Sequence, residues 1–226
     1  MSTTPSKIWY LEQFNMLKKM RKEDMLHMQQ SMVMKHIDKS TLLFFPEKKN
    51  DHIYFLKEGV VKIVHYLEDG KENIKSIIGP GSLFGELALV SNEAPGDCAV
   101  ALEDCVICFV DIPSMQQMMD QNNLLRTEIY KIMGLRVKRL ERRLESIISK
   151  DSRTRVIEFL EEFLQEYGRE ISGQWQARNF LTHNDIGKLT ATSRQTVTTV
   201  FNELRTTGVI EYDKKTITAS SLQLEV

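Results

Sequence analysis

The spacing of hydrophobic residues changes twice along the chain. Between residues 42 and 110, short apolar runs are separated by polar residues and by glycines. Asp69-Gly70, which lies between two such runs, is a strong hairpin signal, and Pro80-Gly81 indicates a turn. Several short strands at regular intervals predict an antiparallel barrel or sandwich.

Residues 114 to 149 contain a single glycine, and within this stretch six apolar positions between residues 130 and 147 are spaced alternately three and four residues apart. Six residues form this seam: Tyr130, Met133, Val137, Leu140, Leu144 and Ile147. A 3.5-residue repeat flanked by charged residues predicts a coiled-coil helix, whereas a helix buried within its own domain has a wider apolar stripe. We therefore expect a parallel partner helix from a second copy across a two-fold axis. A helix packed only within its own chain is the alternative.

The last third of the chain predicts a helix ending at Gly168, then two short helices joined by a tight turn. Thr182 and Asp185 form a capping pattern for the first short helix, and Ser193 caps the second, which Gly208 terminates. The predicted inward faces are apolar and consist of Ile186, Leu189, Val197, Val200, Phe201 and Leu204. Two such helices with complementary faces predict a helix–turn–helix.

The outward face of the second short helix carries hydrogen-bonding side chains rather than apolar anchors. These residues are Arg194, Gln195, Thr198, Thr199 and Asn202. Arg suits guanine and Gln suits adenine in the major groove, and the short donors Ser193 and Thr196 suit phosphates. A following hairpin, "VIEYDKKTIT", places Lys214 and Lys215 at its tip as a wing. We predict DNA binding; a module that binds another protein is the alternative. Arg153 and Arg155 are candidates for contacts with flanking phosphates.

Composition adds few constraints. The chain has 226 residues, 42% of them hydrophobic, and a net charge of −1, so a nucleic-acid site must be a local patch. No apolar run is long enough to span a bilayer, and the N terminus has no secretory pattern, so we expect a cytoplasmic protein without membrane contact. The N-terminal methionines, which are Met16, Met20, Met25, Met28 and Met32, predict short helices packed on a core.

Cys105 and Cys108 form a C-x2-C pair inside an apolar run that predicts a buried strand. Residues three apart on a strand point to opposite faces, so the pair is unsuited to sharing a metal. We expect plain core thiols in a reducing compartment.

The order of strands, long helix and winged helix–turn–helix resembles the Crp/Fnr superfamily of bacterial transcription regulators. The motifs that carry the resemblance are "GPGSLFGELAL" and "LTHNDIGKLTATSRQTVTTVFNELRTTGVI". The resemblance implies an α+β chain with an N-terminal antiparallel β-roll over residues 1–125, a dimerisation helix over 126–150 and a winged helix–turn–helix over 151–226. It further implies a homodimer that binds a two-fold-related site in double-stranded DNA and contacts RNA polymerase.

The resemblance also assigns roles to residues of the second motif. Arg194, Gln195 and Thr199 occupy the main base-reading positions, and Thr182, Ser193, Thr196 and Lys215 match phosphate-contact positions. Gln195 and Thr199 differ from the residues of the best-known member, and Ala191 replaces a common turn glycine. The half-site preference therefore does not transfer.

The effector loop departs from the pattern of members that bind cyclic nucleotides. Gly85, Glu86 and Leu87 are in place, but Gly96 stands where those members have Arg, and Asp97 stands where a small or hydroxyl residue belongs. Leu140 and Glu141 replace the adenine-contacting hydroxyls. One cation is missing and one anion is added, each worth about 4 kcal/mol at about 4 Å before screening. We expect a degenerate pocket that does not bind cyclic AMP in the usual way.

Other cofactors and functions are also disfavoured. The first 97 residues contain no cysteine, which disfavours an iron–sulfur cluster, and the isolated His27, His36, His52 and His65 give no haem or cupin-like metal pattern. We expect no cofactor and no enzymatic activity, and the sequence leaves an unidentified small-molecule effector and a purely structural roll open. A ligand-binding regulatory subunit acting on a protein partner is the competing function.

Overall fold

The computed structural model describes residues 21–44, 50–90 and 96–224. The chain divides into two compact units, Met1–Lys138 and Arg139–Val226. Helix α3, Asn123–Ser149, crosses that boundary. Met16 and Met20 lie outside the described residues.

The described part of the first unit contains eight strands, two further helices and one 3-10 turn. The strands are β1 Val33–Ile37, β2 Leu42–Phe44, β3 His52–Glu58, β4 Val61–Tyr66, β5 Glu72–Ile78, β6 Leu83–Phe84, β7 Asp97–Ala101 and β8 Cys105–Asp111. The helices are α1 Lys22–Ser31 and α2 Ile112–Gln121, and the 3-10 turn is Glu86–Leu89. The strands form two antiparallel sheets, ordered β1-β8-β3-β6 and β2-β7-β4-β5. The predicted hairpin at Asp69-Gly70 is confirmed as the β4–β5 connection.

Two hydrophobic clusters hold the first unit together, one on each face of the β3–β8 pair. Tyr54 and Leu56 belong to the cluster shared with strands of both sheets, whereas Ile53 and Phe55 belong to the cluster shared with helices α1, α2 and α3. Because neighbouring residues of β3 face opposite sides and both sides are covered, the strand is buried almost continuously. Met25, Met28 and Met32 pack in the helix-side cluster, which confirms the prediction for these methionines.

The two cysteines of the C-x2-C pair lie on opposite faces of β8, as predicted. Cys105 belongs to the cluster between strands of the two sheets, and Cys108 belongs to the helix-side cluster. All three cysteines are buried and have the reduced thiol form.

Lys57 is the extra residue at a β-bulge between Leu56 and Glu58, where the pairing of β3 with β8 shifts register. The bulge turns this side chain inward, and the residue is 8% exposed. Burial lowers the pKa of Lys57 to about 8. Lys57 is therefore still charged in the folded protein at pH 7, and this buried charge lowers the free energy of unfolding.

We expect Lys57→Met to raise the free energy of unfolding at pH 7 by about 2 kcal/mol. An amine whose folded pKa lies near 8 and whose unfolded pKa lies near 10.5 penalises the fold fully below pH 8, and the penalty disappears between about pH 8 and 10.5. Urea unfolding from pH 7 to 10 checks this: the native stability should rise with pH relative to the variant. Parallel pH profiles for the two proteins would contradict it.

The second unit contains the end of α3, three more helices and four strands. These elements are α4 Ser152–Tyr167, β9 Gly168–Ile171, β10 Gln174–Arg178, α5 His183–Leu189, α6 Arg194–Thr206, β11 Ile210–Tyr212 and β12 Thr216–Ala219. Its sheet has the order β11-β12-β10-β9. The order of helices and the final hairpin are as predicted, but the β9–β10 hairpin was not predicted. Leu224 is buried, and its amide donates to Glu161 Oε1 on α4 at 2.8 Å, so the C-terminal segment is anchored to this unit.

Candidate DNA-binding surface and sensor pocket

Side-chain caps fix the N termini of the two helices of the predicted motif. Thr182 Oγ1 accepts from the Asp185 amide at 3.1 Å, and Asp185 Oδ2 accepts from the Thr182 amide at 3.0 Å, which completes a capping box for α5. Ser193 Oγ accepts from the Thr196 amide at 3.0 Å and caps α6. The capping residues predicted from the sequence are thus confirmed.

The turn between α5 and α6 is tight enough to require a glycine on the first helix. A Cβ atom on Gly187 would lie 2.9 Å from the Thr192 carbonyl oxygen. The Thr192 amide donates to the Gly187 carbonyl at 2.8 Å, and Ala191 has a φ of 51° in the left-handed region. The turn thereby sets the direction in which α6 starts.

Packing separates the buried face of α6 from its outward face. Val197, Val200, Phe201 and Leu204 are buried, as predicted, whereas Arg194, Gln195 and Thr199 are exposed. The exposed side chains lie within the first two turns of the helix. This is the end of a recognition helix that reaches base edges in the major groove.

Two residues that the sequence placed on the outward face have partners inside the unit. Thr198 Oγ1 hydrogen-bonds to His183 Nδ1 at 2.9 Å and donates to the Arg194 carbonyl at 3.0 Å. Asn202 Oδ1 accepts from Tyr212 Oη at 3.1 Å and thus links α6 to the wing. Burial and the nearby Arg194 charge lower the pKa of His183, so this ring is neutral at pH 7.

The wing is the β11–β12 hairpin, and its turn is internally hydrogen-bonded. Asp213 Oδ1 accepts from the amides of Lys215 and Thr216, both at 2.7 Å, and these bonds lower the pKa of Asp213. The backbone amide of Asn179 donates to the Lys215 carbonyl at 2.7 Å. Lys214 and Lys215 are exposed at the tip. The wing therefore holds two cations on a fixed turn.

The two arginines proposed for flanking phosphates are engaged within the second unit. Arg153 forms an ion pair with Glu203, with Nη2 and Oε1 2.6 Å apart. Arg155 donates to three backbone carbonyls. Sequence reasoning missed these contacts because all but the one to Lys150 join residues at least 35 positions apart in the chain.

The sensor region of the first unit contains a buried carboxylate at the start of the 3-10 turn. Glu86 is 2% exposed and pairs with Arg136 of α3, whose Nη2 also donates to the Leu83 carbonyl at 2.5 Å. Gly85 precedes it with a φ of 87°, and a Cβ there would lie 2.7 Å from the His52 carbonyl oxygen. Leu87, by contrast, is 55% exposed. The effector loop is therefore tied to the long helix by an internal ion pair.

The extra anion of the effector loop, Asp97, is also paired. Asp97 is buried, and its Oδ1 lies 2.6 Å from Lys75 Nζ and 3.1 Å from His65 Nδ1. His65 lies on β4, which is next to β7, and Lys75 lies on β5, one strand further in the same sheet. Neither residue belongs to the loop segment, so the charges of that segment alone do not describe the surroundings of Asp97.

The seam residues of α3 have different environments. Tyr130, Val137, Leu140, Leu144 and Ile147 are exposed in the single chain, as is Ile148, which was not predicted. Met133 instead is half-buried and packs on the helix-side cluster of the first unit.

The fold and these sites define a class of protein. An antiparallel roll with a sensor-type loop, a long helix and a winged helix–turn–helix with exposed Arg and Gln is the architecture of a DNA-binding regulator. The described residues include no helix suited to crossing a membrane. They also include no group of three or more metal-binding side chains.

Comparison with known proteins identifies the family. Residues 34–122 match the cyclic nucleotide-binding domain, and residues 154–223 match the Crp-like helix-turn-helix domain. The chain is 24% identical over 178 residues to the CRP-like cAMP-activated global transcriptional regulator of Mycobacterium tuberculosis, covering 79% of this chain and 80% of that protein. It is 26% identical to the global nitrogen regulator of a Synechocystis species, covering 82% and 84%.

Solved structures share the fold. A mutant of CooA from Carboxydothermus hydrogenoformans has a TM-score of 0.71 at 23% identity, covering 86% of each chain. FixK2 from Bradyrhizobium japonicum has a TM-score of 0.75 at 19% identity, covering 85% of this chain and 94% of that one. The chain belongs to the Crp/Fnr superfamily and is a DNA-binding transcription regulator. The relatives are transcription regulators rather than enzymes, and nothing favours the alternative of a regulatory subunit acting on a protein partner.

Proposed function

We propose that the protein binds a two-fold-related DNA site as a homodimer whose subunits associate along α3. The observation that carries this proposal is the row of exposed apolar side chains on that helix. Leu140 and Leu144 are each 60% exposed in the single chain. The exposed charged residues around them are Lys138, Arg139, Glu141, Arg142 and Glu145. A narrow apolar stripe with charged flanks is stabilised by a copy of itself across a two-fold axis.

In this dimer the N termini of two α6 helices read bases one duplex turn apart. Arg194, Gln195 and Thr199 are the proposed base-reading residues. Thr182, Ser193, Thr196 and Lys215 are the proposed phosphate contacts. The exposure of the first set supports the assignment, as does the position of the second set at helix caps and at the wing tip.

Selection of bound oligonucleotides tests the proposal directly. We expect an inverted repeat whose half-site centres are separated by about 10 base pairs. Running the selection with and without cell metabolites also asks whether an effector changes affinity. Binding without any preferred sequence would contradict the proposal.

Arg194→Ala should weaken binding to the selected site by about 1–3 kcal/mol and relax selectivity at one base pair. Titration against single-base variants of the site provides the measurement. Arg169→Ala, which removes an exposed arginine from β9, is the matched control. An equal loss on all DNA would mean that Arg194 does not read a base.

We further propose that the roll does not bind cyclic AMP in the usual way. The buried carboxylates of Glu86 and Asp97 are already paired with Arg136 and Lys75, so a cyclic phosphate would compete with two carboxylates for these cations. Breaking either pair leaves a buried carboxylate without its cation, which costs free energy.

Calorimetry with cyclic AMP should accordingly give no heat of binding at micromolar nucleotide, and DNA affinity should be unchanged by it. The M. tuberculosis relative, named as cAMP-activated, is the positive control. A micromolar dissociation constant would contradict this expectation.

The remaining parts of the proposal follow from the class of protein. We propose that the dimer acts in the cytoplasm, regulates transcription through contact with RNA polymerase and uses no cofactor. The domain limits proposed are 1–125, 126–150 and 151–226, with an unidentified small-molecule effector left open for the first.

A further inference from the structure

One arginine of α4 joins three separate segments of the second unit. Arg155 Nε donates to the Thr190 carbonyl at 2.8 Å, and Nη2 donates to the Ala191 carbonyl at 3.0 Å. Nη1 donates to the Lys150 carbonyl at 2.7 Å, where α3 gives way to α4. Nη2 also lies 3.3 Å from Ser152 Oγ. These bonds use four of the five guanidinium hydrogens.

The carbonyls that Arg155 holds belong to the turn before the recognition helix. Thr190 is the C-cap residue of α5 and is buried, and Ala191 has a left-handed backbone conformation. Ser193, only two residues further on, caps α6, and Arg194 is the first residue of that helix. A small rotation of the turn therefore reorients the side chains at the start of α6.

The turn is held from a second side by the close approach of Gly187 to Thr192, described above. A third contact comes from α3, where Arg143 Nη2 donates to the Lys188 carbonyl at 3.0 Å. The end of the long helix and the turn are thus hydrogen-bonded through arginines at Lys188, Thr190 and Ala191. Both arginines donate to carbonyls, and the planar guanidinium of Arg155 donates to three of them in a fixed fork geometry.

We propose that Arg155 is a positioning residue for DNA recognition. It fixes the turn relative to the end of α3 and thereby sets the orientation in which α6 presents Arg194 and Gln195 to DNA. This inference rests on the proposed function of α6. It differs from a phosphate contact, because the guanidinium is engaged with the protein's own backbone.

Arg155→Lys tests the inference while keeping the positive charge. A lysine ammonium on a flexible stem cannot form the same fork of bonds to three segments, so the turn loses restraint. We expect affinity for the selected site to fall by about tenfold or more, since two or more charge-assisted hydrogen bonds are lost. Affinity for random-sequence DNA should change by less than about twofold, and the dependence on salt should be unchanged.

Three companion variants separate the explanations. Arg169→Lys makes the same chemical change at an exposed site on β9 and should leave both affinities unchanged. Arg155→Met removes the charge; a phosphate contact would lower the slope of log affinity against log salt by about 0.9 per contact, and a positioning residue would not. Ser152→Ala removes one acceptor of Arg155 and should give a smaller loss of affinity for the selected site. This variant serves as the test if Arg155→Lys unfolds too readily for binding measurements.

The outcomes are distinct. The inference is overturned if Arg155→Lys and Ser152→Ala both keep full affinity for the selected site. It is also overturned if Arg155→Met loses affinity for the selected site and for random-sequence DNA equally, with a lower slope of log affinity against log salt. If Arg194→Ala also leaves specificity unchanged, the proposed function of α6 fails. If Arg194→Ala relaxes specificity while the Arg155 variants do not, only the present inference fails.

Discussion

Leu140→Glu should convert the dimer to monomers at micromolar concentration and reduce affinity for the selected site by more than about a hundredfold. Each subunit loses one leucine whose burial contributes about 2 kcal/mol to association. The two substitutions in the dimer together weaken association by about 4 kcal/mol, or roughly a thousandfold. Two glutamates facing each other add repulsion. DNA affinity falls when the dimer dissociates, because a monomer bound at one half-site no longer holds a second DNA-binding unit close to the other half-site.

Sedimentation equilibrium with and without duplex DNA measures both effects. Leu135→Glu is the matched control, because Leu135 is 61% exposed and lies two residues from Val137, on a different side of α3. It makes the same change of chemistry away from the seam and should leave the dimer intact. A Leu140→Glu protein that remains dimeric would place the interface elsewhere.

The second large effect should come from Arg136→Leu, which leaves the Glu86 carboxylate buried without its cation. Removing one partner of a buried pair costs about 3–5 kcal/mol; because Arg136 is one-third exposed, we expect about 3 kcal/mol. Urea-induced unfolding of the first unit measures the change in the free energy of unfolding. The loss should be largely recovered in Glu86→Gln/Arg136→Leu, where no buried charge remains.

Lys131→Leu provides the reference for this experiment. Lys131 pairs with Glu128 one turn away on the same helix, and its side chain is 57% exposed. Such exposed pairs contribute less than about 1 kcal/mol, so this variant should be nearly neutral. If Arg136→Leu proves equally mild, the Glu86–Arg136 pair does not hold the loop to the helix.

The elements that local patterns specify were predictable. The β4–β5 hairpin follows from Asp69-Gly70, and the caps of α5 and α6 follow from Thr182 and Ser193 with their spacing. The apolar face of α6 follows from helical periodicity. These features depend on residues within one or two turns of one another, so the sequence carries them directly.

Features that depend on distant residues were not predictable in the same way. Glu86 and Arg136 are 50 residues apart, and Asp97 meets Lys75 only because β7, β4 and β5 share a sheet. The β9–β10 hairpin escaped prediction because most of its residues are exposed and no clear apolar alternation marks them. Ser172-Gly173 at its tip was the available turn signal.

The backbone at Gly96 has a consequence for how such a roll could evolve toward nucleotide binding. Its φ is 62°, and a Cβ there would lie 3.1 Å from His65 Cε1. An arginine introduced at this point alone would be strained and crowded, and Asp97 would still stand beside it. At least two replacements, at Gly96 and Asp97, separate this loop from the pattern of members that bind cyclic nucleotides, and neither completes that pattern by itself. A lineage with this loop is therefore poorly placed to acquire the pattern by single steps.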